Sequence, residues 1–283
     1  MRTVRYVRSG RIRIAVEAAD ARFEEVLEAS AIDVLGSGST PSGVSVKIVD
    51  DVALELEDAL LVTPLDPPEV WCAGVTYERS REARHDEAVI KDVYSMVYDA
   101  ERPELFLKDA MWRRTVGPGQ PIAVRSDASW NVPEPEIGLV LGQRGAILGV
   151  TIGNDVSSRD IEGANPLYLP QAKVYASACA IGPAIYVPSS PAETFEVHMR
   201  ISDAEGRDLF HGSTSTSLMR RSFQELVEWL VRDNPVPPGT VLLTGTGLVP
   251  PDSFTLEPGH LVEIHVPQIG TLANPVVSAA TLV

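Results

Sequence analysis

The chain has 283 residues, 44% hydrophobic and 22% charged, a balance typical of soluble globular proteins and long enough to bury a large core in one main domain with at most a small partner domain. Its formal charge of -15 excludes the classes that need a basic face, so neither nucleic acid nor an anionic membrane is an expected partner. No apolar run is long enough to span a bilayer, and MRTVRYVRSGRIRI carries charges where a signal peptide needs its apolar stretch, so a cytoplasmic location is expected.

Residues 1 to about 60 contain two alternating runs, RIRIAVEA and VSVKIVD, a segment FEEVLEAS that reads as a helix, and an SGSTPSG loop. The proline-rich LVTPLDPPEV, residues 61–70, reads as a linker. These features predict a small N-terminal α/β domain over 1–65 and a main domain over 66–283. From VWCAGV onward, short apolar runs (LFLK, PIAV, IGLVLG, AILGVTIGNDV, AIGPAIYV, FEVHMRISD, TVLLTGTG, LVEIHV) alternate with Gly/Pro turns, the pattern of a mainly β, mostly antiparallel fold of sandwich or rolled type.

Two helical segments interrupt the strands. Residues 77–100 are highly charged with few apolar anchors, which predicts a mobile lid. Residues 217–233 place Leu218, Phe223, Leu226, Val227 and Leu230 at helical spacing and stop before Asn234-Pro235, so an amphipathic helix on the sheet is expected, with Trp229 in the core or at an interface. Cys72 and Cys179 lie in apolar runs without metal or redox spacing and read as buried, inert thiols. His198 and His265 sit in alternating strands, while His211 and His260 flank glycine turns; surface or packing roles are expected for all four.

VPEPEIGLVLG, residues 132–142, carries the strongest chemical signal. Side chains two apart on an extended chain share a face, so Glu134 and Glu136 converge, with Pro135 keeping the segment extended. Carboxylates that close repel unless a proton or cation intervenes. GNDVSSRD, residues 153–160, brings Asp155 and Asp160 to the end of another strand, and three carboxylates without histidine or cysteine form a hard oxygen site suited to Mg²⁺ or Mn²⁺. An exposed strand start and a turn-capping aspartate would account for the same residues singly.

EPEIGLVLG, TIGNDVSSRD, QAKVYASACAIGP, LLTGTG and VEIHVPQIGTLANPV, taken together and in this order, resemble the fumarylacetoacetate hydrolase superfamily over roughly residues 70–277. The resemblance implies a mixed β-sandwich roll, Glu134, Glu136 and Asp155 as ligands of Mg²⁺ or Mn²⁺, Lys173 in the active site and Thr246 at the substrate carboxylate. It also implies a 2-oxo acid substrate, a homodimer or homotetramer, and Arg159 and Asp160 as braces of the metal loop. A divalent ion and Lys173 would together stabilise negative charge developing on such a substrate.

Carbon–carbon bond hydrolases of the superfamily activate water with a histidine–glutamate pair after the first core strand; Glu82 and His85 are the nearest matches and stand out of register. GVTYERSREAR, VYDAERPELFLK, RTVGPGQPI and GTGLVPP are instead similar to the 2-keto-3-deoxy sugar-acid dehydratase branch. That branch implies dehydration of 2-keto-3-deoxy-D-arabinonate to 2-oxoglutarate semialdehyde in pentose catabolism, without a redox cofactor. Glu104 and Lys173 are the candidate bases, and Tyr77, Ser80, Arg81 and Glu162 candidate substrate contacts. The competing readings are a metal-dependent hydrolase of an acylpyruvate or 2,4-diketo acid, and a non-catalytic keto-acid-binding member of the family.

Overall fold

The strand that follows Glu134 and carries Glu136 is buried along its whole length. Ile137, Leu139 and Leu141 face one apolar cluster while Val140 faces a second, which is why IGLVL reads as a continuous apolar run. This computed structural model describes residues 1–17, 23–26, 30–36, 46–48, 60–78 and 92–283. In chain order the N-terminal strands are β1 (Arg2–Arg8), β2 (Arg11–Glu17), β3 (Phe23–Val26), β4 (Val46–Ile48) and β5 (Leu60–Leu61). β6 (Glu69–Gly74), β7 (Glu104–Ala110), β8 (Thr115–Val116), β9 (Ile122–Val124), β10 (Asn131–Val132), β11 (Pro135–Leu141) and β12 (Ile147–Asp155) follow. The remainder are β13 (Ser157–Ser158), β14 (Cys179–Tyr186), β15 (Glu196–Ser202), β16 (Asp208–Ser215), β17 (Val241–Leu243), β18 (Leu261–Val266) and β19 (Gly270–Ser278). The helices are α1 (Ala31–Gly36), α2 (Asp92–Asp99), α3 (Arg159–Ala164), α4 (Leu169–Lys173) and α5 (Phe223–Val231).

Among the described residues, the large sheet runs β4-β3-β2-β1-β14-β12-β11-β17-β6-β7, with β5 on β1 and β8 on β14. A second sheet, β16-β15-β18-β19-β9, supplies Val197, Met199, Ile201, Val262, Ile264 and Leu272 to the cluster that Ile137, Leu139 and Ile152 enter from the first. The fold is the mainly β, sandwich-like roll expected. Pairings are antiparallel except β6–β17, β8–β14 and β9–β19. The N-terminal strands, expected to form a small domain, extend the large sheet directly: Arg2, Thr3 and Val4 of β1 pair with Tyr186, Ile185 and Ala184 of β14.

FEEVLEAS does not begin a helix. Phe23–Val26 is strand β3, paired to β2 from Phe23↔Glu17 to Val26↔Ile14, with Phe23, Glu25 and Val26 buried. Glutamate-rich composition favours helix locally, but here the Tyr6 hydroxyl donates to Glu25 at 3.0 Å and Arg13 is ion-paired to it, so cross-strand partners outweigh propensity. The helix comes later, at Ala31, where Ser30 and Asp33 cap each other: Asp33 N–H donates to Ser30 Oγ (3.2 Å) and Ser30 N–H to Asp33 Oδ2 (3.0 Å).

The amphipathic helix expected over 217–233 is shorter. Thr216–Leu218 forms a single 3₁₀ turn with Leu218 exposed, and α5 starts at Phe223, where Ser222 Oγ accepts Glu225 N–H. Leu226, Val227 and Leu230 enter the core as expected. Trp229 is half-buried between two guanidinium groups, those of Arg102 (4.4 Å to the ring centre) and Arg232 (3.9 Å). Cys72 and Cys179 are free and buried, and burial pushes the Cys179 thiol up to about 12, the inert behaviour expected. Of the segment expected to form a lid, residues 79–91 lie outside the described residues, so nothing is placed for Ser80, Arg81, Glu82 or His85. Among the described residues no helix is long and apolar enough to cross a membrane.

Candidate active site

The β11–β12 hairpin sets the site. Pro135 pairs with Asn154 and Glu136 with Gly153, so Glu134, one residue before β11, meets the end of β12; Asp155 N–H donates to the Glu134 carbonyl at 3.0 Å. Asn154 Oδ1 accepts the Glu134 N–H at 3.1 Å and fixes the extended start that Pro135 also enforces. Carboxylate oxygens of Glu134, Glu136 and Asp155 come within 4.8 Å of one another, and the three residues are 3%, 2% and 1% exposed. The convergence read from the alternation of residues 134–136 is thus present, with Asp155 as the third member. Asp160 is not part of it: its Oδ2 accepts Ser129 N–H (2.6 Å) and Oγ–H (2.8 Å) and ties the loop before β10 to α3.

Three buried cations surround the three carboxylates. Lys173, at the end of α4, donates from Nζ to Glu134 Oε2 (2.6 Å) and Asp155 Oδ2 (2.9 Å). Arg159, at the start of α3, donates from Nη2 to Glu134 Oε1 (2.7 Å). Lys108 of β7 lies 2.5 Å from Asp155 Oδ1 and donates to the Val156 carbonyl at 2.9 Å. Charges this deep must be paired, and five of the six form one chain, Lys108–Asp155–Lys173–Glu134–Arg159.

Glu136 stands apart from that chain. Its Oε2 accepts Gly245 N–H at 2.6 Å. Burial, reinforced by the negative charges of Asp155 and Glu134, raises its carboxyl well above the usual range; Gly245 N–H and Lys173 only partly offset this. This is where a divalent cation would relieve the repulsion, and an all-oxygen donor set suits Mg²⁺ or Mn²⁺. Because the protonated form of Glu136 is favoured in the fold, the native state holds more protons than the unfolded chain once pH passes the ordinary value of 4.5. Thermal stability measured in chelator should therefore fall as pH rises from there towards the raised value. Saturating Mg²⁺, by favouring the ionised form, should flatten that decline; identical melting profiles with and without Mg²⁺ would contradict the account.

Around the carboxylates a cleft is lined by Gly74, Glu104, Phe106, Glu162, Gly245 and Thr246, among others. Glu104 opens β7 opposite Gly74, and a Cβ at position 74 would fall 1.9 Å from Glu104 Oε2, so glycine there leaves the carboxylate its place. Glu162 is 2% exposed, with Oε2 4.0 Å from Arg159 Nε. Thr246 is buried and its hydroxyl donates to the Leu248 carbonyl at 3.1 Å. Tyr77 is not among the cleft-lining side chains. It is 3% exposed, its ring fills the space over Gly247, and burial together with Glu136 raises its phenol.

Lys108 and Phe106 are absent from the expectations drawn from the sequence. The signal was present in ELFLK: Glu104, Phe106 and Lys108 alternate and share one face of β7. Phe106 lies beneath Lys173, whose Nζ is 5.6 Å from the ring centre.

A β-roll that gathers acidic side chains into a buried oxygen-donor pocket defines a class of cation-dependent proteins acting on small anions. The chain belongs to the fumarylacetoacetate hydrolase family: residues 69–277 match the family's model, described as fumarylacetoacetate (FAA) hydrolase C-terminal. It is 44% identical over 280 residues to a Haloferax volcanii protein named probable 2-keto-3-deoxyxylonate dehydratase, covering 95% of this chain and 96% of that one. It is 46% identical over 229 residues to the 2-dehydro-3-deoxy-D-arabinonate dehydratase of Saccharolobus solfataricus, covering 79% and 76%. A solved 2-keto-3-deoxy-D-arabinonate dehydratase, complexed with magnesium and 2,5-dioxopentanoate, superposes with a TM-score of 0.86 at 39% identity, over 98% of this chain and 99% of that one.

Proposed function

We propose that this protein is a Mg²⁺-dependent hydro-lyase that removes water from a 2-keto-3-deoxy sugar acid, with 2-keto-3-deoxy-D-arabinonate as substrate and 2,5-dioxopentanoate as product. The observation that carries the reading is the buried carboxylate triad with its lysine, on a fold similar over nearly its whole length to dehydratases of this substrate class. Glu134, Glu136 and Asp155 hold the cation. When bound, Mg²⁺ supplies Lewis-acid stabilisation for negative charge developing at the 2-keto group as the C3 proton leaves.

The chain's own residues do the rest. Lys173 places a second positive charge beside the substrate's carboxylate end, and Thr246 lies across the cleft on the turn that also orients Glu136 through Gly245. Glu104 is the base we assign to C3: it is half-buried and lines the cleft beside the three carboxylates. Loss of the C3 proton and of the C4 hydroxyl as water leaves a C3–C4 double bond. Two further proton transfers, from C5 to C3 and from the C5 hydroxyl to C4, give the aldehyde without oxidant or reductant. Glu162 faces the same cleft and is assigned to the hydroxyl end of the substrate. The same proposal extends to Ser80 and Arg81 as groups that enclose the substrate, to a homodimer or homotetramer in the cytoplasm, and to a domain boundary near residue 65, just before the matched family region.

Incubation with 2-keto-3-deoxy-D-arabinonate and Mg²⁺ should yield one product lighter by one water, and chelator should abolish it. An unchanged sugar acid alongside two-fragment cleavage of an acylpyruvate would overturn the dehydratase reading in favour of a carbon–carbon hydrolase using the same cation site.

A further inference from the structure

The outer face of the five-stranded sheet carries a group of side chains with no part in the cleft. His198 of β15 pairs directly with His265 of β18, and their ring centres are 6.2 Å apart with the planes tilted by 39°. His211 of β16 lies diagonally across from His198, whose direct partner on that strand is Ser213. All three imidazoles are exposed around a shallow depression of about 450 Å³, although the chain has only five histidines. His211 lies inside the strand and not beside a turn, which is what brings it to this face.

We propose that His198 and His265 chelate a borderline transition-metal ion, Zn²⁺, Ni²⁺ or Cu²⁺, at this face. Three observations carry it. First, an imidazole nitrogen binds Zn²⁺ at about 2.0–2.1 Å, so a ring centre stands about 3 Å from the ion and two rings at a tetrahedral angle have centres about 5 Å apart, a distance that the two exposed rings reach by closing about 1 Å from their present 6.2 Å. Second, His265 Nδ1 is 2.9 Å from Thr271 Oγ1, an outer hydrogen bond that fixes the ring and leaves Nε2 for the ion. Third, the nearest cation is neutralised: Arg200 Nε pairs with Asp208 (2.6 Å) and Nη1 with Glu263 (2.7 Å), so an approaching dication meets no bare guanidinium.

Two protein nitrogens leave the remaining coordination positions to water. The donor set also separates this face from the cleft. Imidazole favours Zn²⁺, Ni²⁺ and Cu²⁺, whereas the carboxylate triad favours Mg²⁺, so the two centres differ in hardness and need not compete.

The test is Zn²⁺ titration of the full chain kept saturated with Mg²⁺, followed by Cu²⁺ loading and electron paramagnetic resonance. One Zn²⁺ per chain is expected. Its affinity should fall at least tenfold in His198→Ala and in His265→Gln, fall less in Thr271→Val, and be unaffected in His260→Ala. Bound Cu²⁺ should show hyperfine coupling to two imidazole nitrogens, and turnover with Mg²⁺ should be unchanged in His198→Ala. Glu136→Gln guards against Zn²⁺ entering the carboxylate triad, because the histidine site must survive that substitution. Zn²⁺ binding that His198→Ala leaves intact, binding lost in Glu136→Gln, or no binding to the Mg²⁺-saturated chain would each overturn the proposal.

Discussion

Glu136→Gln should lower turnover by about a thousandfold or more while leaving the protein in chelator as heat-stable as the parent or slightly more so. The loss follows because one of three anionic oxygen donors becomes neutral, and stabilisation by a bound divalent ion contributes several kcal/mol to the transition state. The retained or increased stability follows from the fold itself. Glu136 is buried against Asp155 and Glu134, its ionised form is disfavoured, and a glutamine carbonyl can still accept the Gly245 N–H now made at 2.6 Å. Function and stability thus oppose each other at this position. Calorimetric Mg²⁺ titration together with a chelator melt checks both halves. A destabilised variant that keeps its Mg²⁺ affinity would mean that Glu136 is a structural group and not a ligand.

Lys173→Met should be equally damaging to turnover for a different reason, and here stability should drop. Lys173 Nζ bridges Glu134 Oε2 and Asp155 Oδ2; its removal leaves two buried carboxylates without a shared counter-ion, a class of change that costs about 3–5 kcal/mol. Added Mg²⁺ should restore much of the melting temperature, since it supplies positive charge to the same oxygens, but it should not restore turnover. Lys108→Met gives the comparison. Lys108 is as deeply buried and pairs with the same aspartate but does not line the cleft, so Mg²⁺ should recover both its stability and most of its activity. If Mg²⁺ rescued turnover equally in both variants, Lys173 would be a structural counter-ion only.

Much of the site was legible because its parts are local. Glu134 and Glu136 share a face through the alternation of one extended segment; that the strand after them is buried on both sides and not on one emerges only from the two apolar clusters it separates. The choice of Asp155 over Asp160 and the place of Lys173 needed the family resemblance, because nothing in spacing alone says which aspartate ends beside Glu134 or that α4 turns Lys173 inward. Lys108 shows the limit from the other side. A lone lysine in an apolar run reads as an edge or surface residue until β7 is known to cross beneath Asp155. FEEVLEAS failed for a related reason: local propensity favours helix, and the contacts that make Phe23–Val26 a strand come from Tyr6 and Arg13 of β1 and β2.

The pairing of β1 with β14 and of β17 with β11 bears on how the molecule is made. Arg2 finds Tyr186 across almost two-thirds of the chain, and β11, which carries Glu136, gains its second neighbour only when Val241–Leu243 has been synthesised. At roughly 5–20 residues per second, translation leaves the first strand waiting on the order of ten seconds or more for its partner. Sheets closed by such distant pairings fold slowly. The nascent protein therefore carries unpaired strand edges until β14 and β17 have emerged, and the acidic pocket acquires its final shape only after Leu243 has been added.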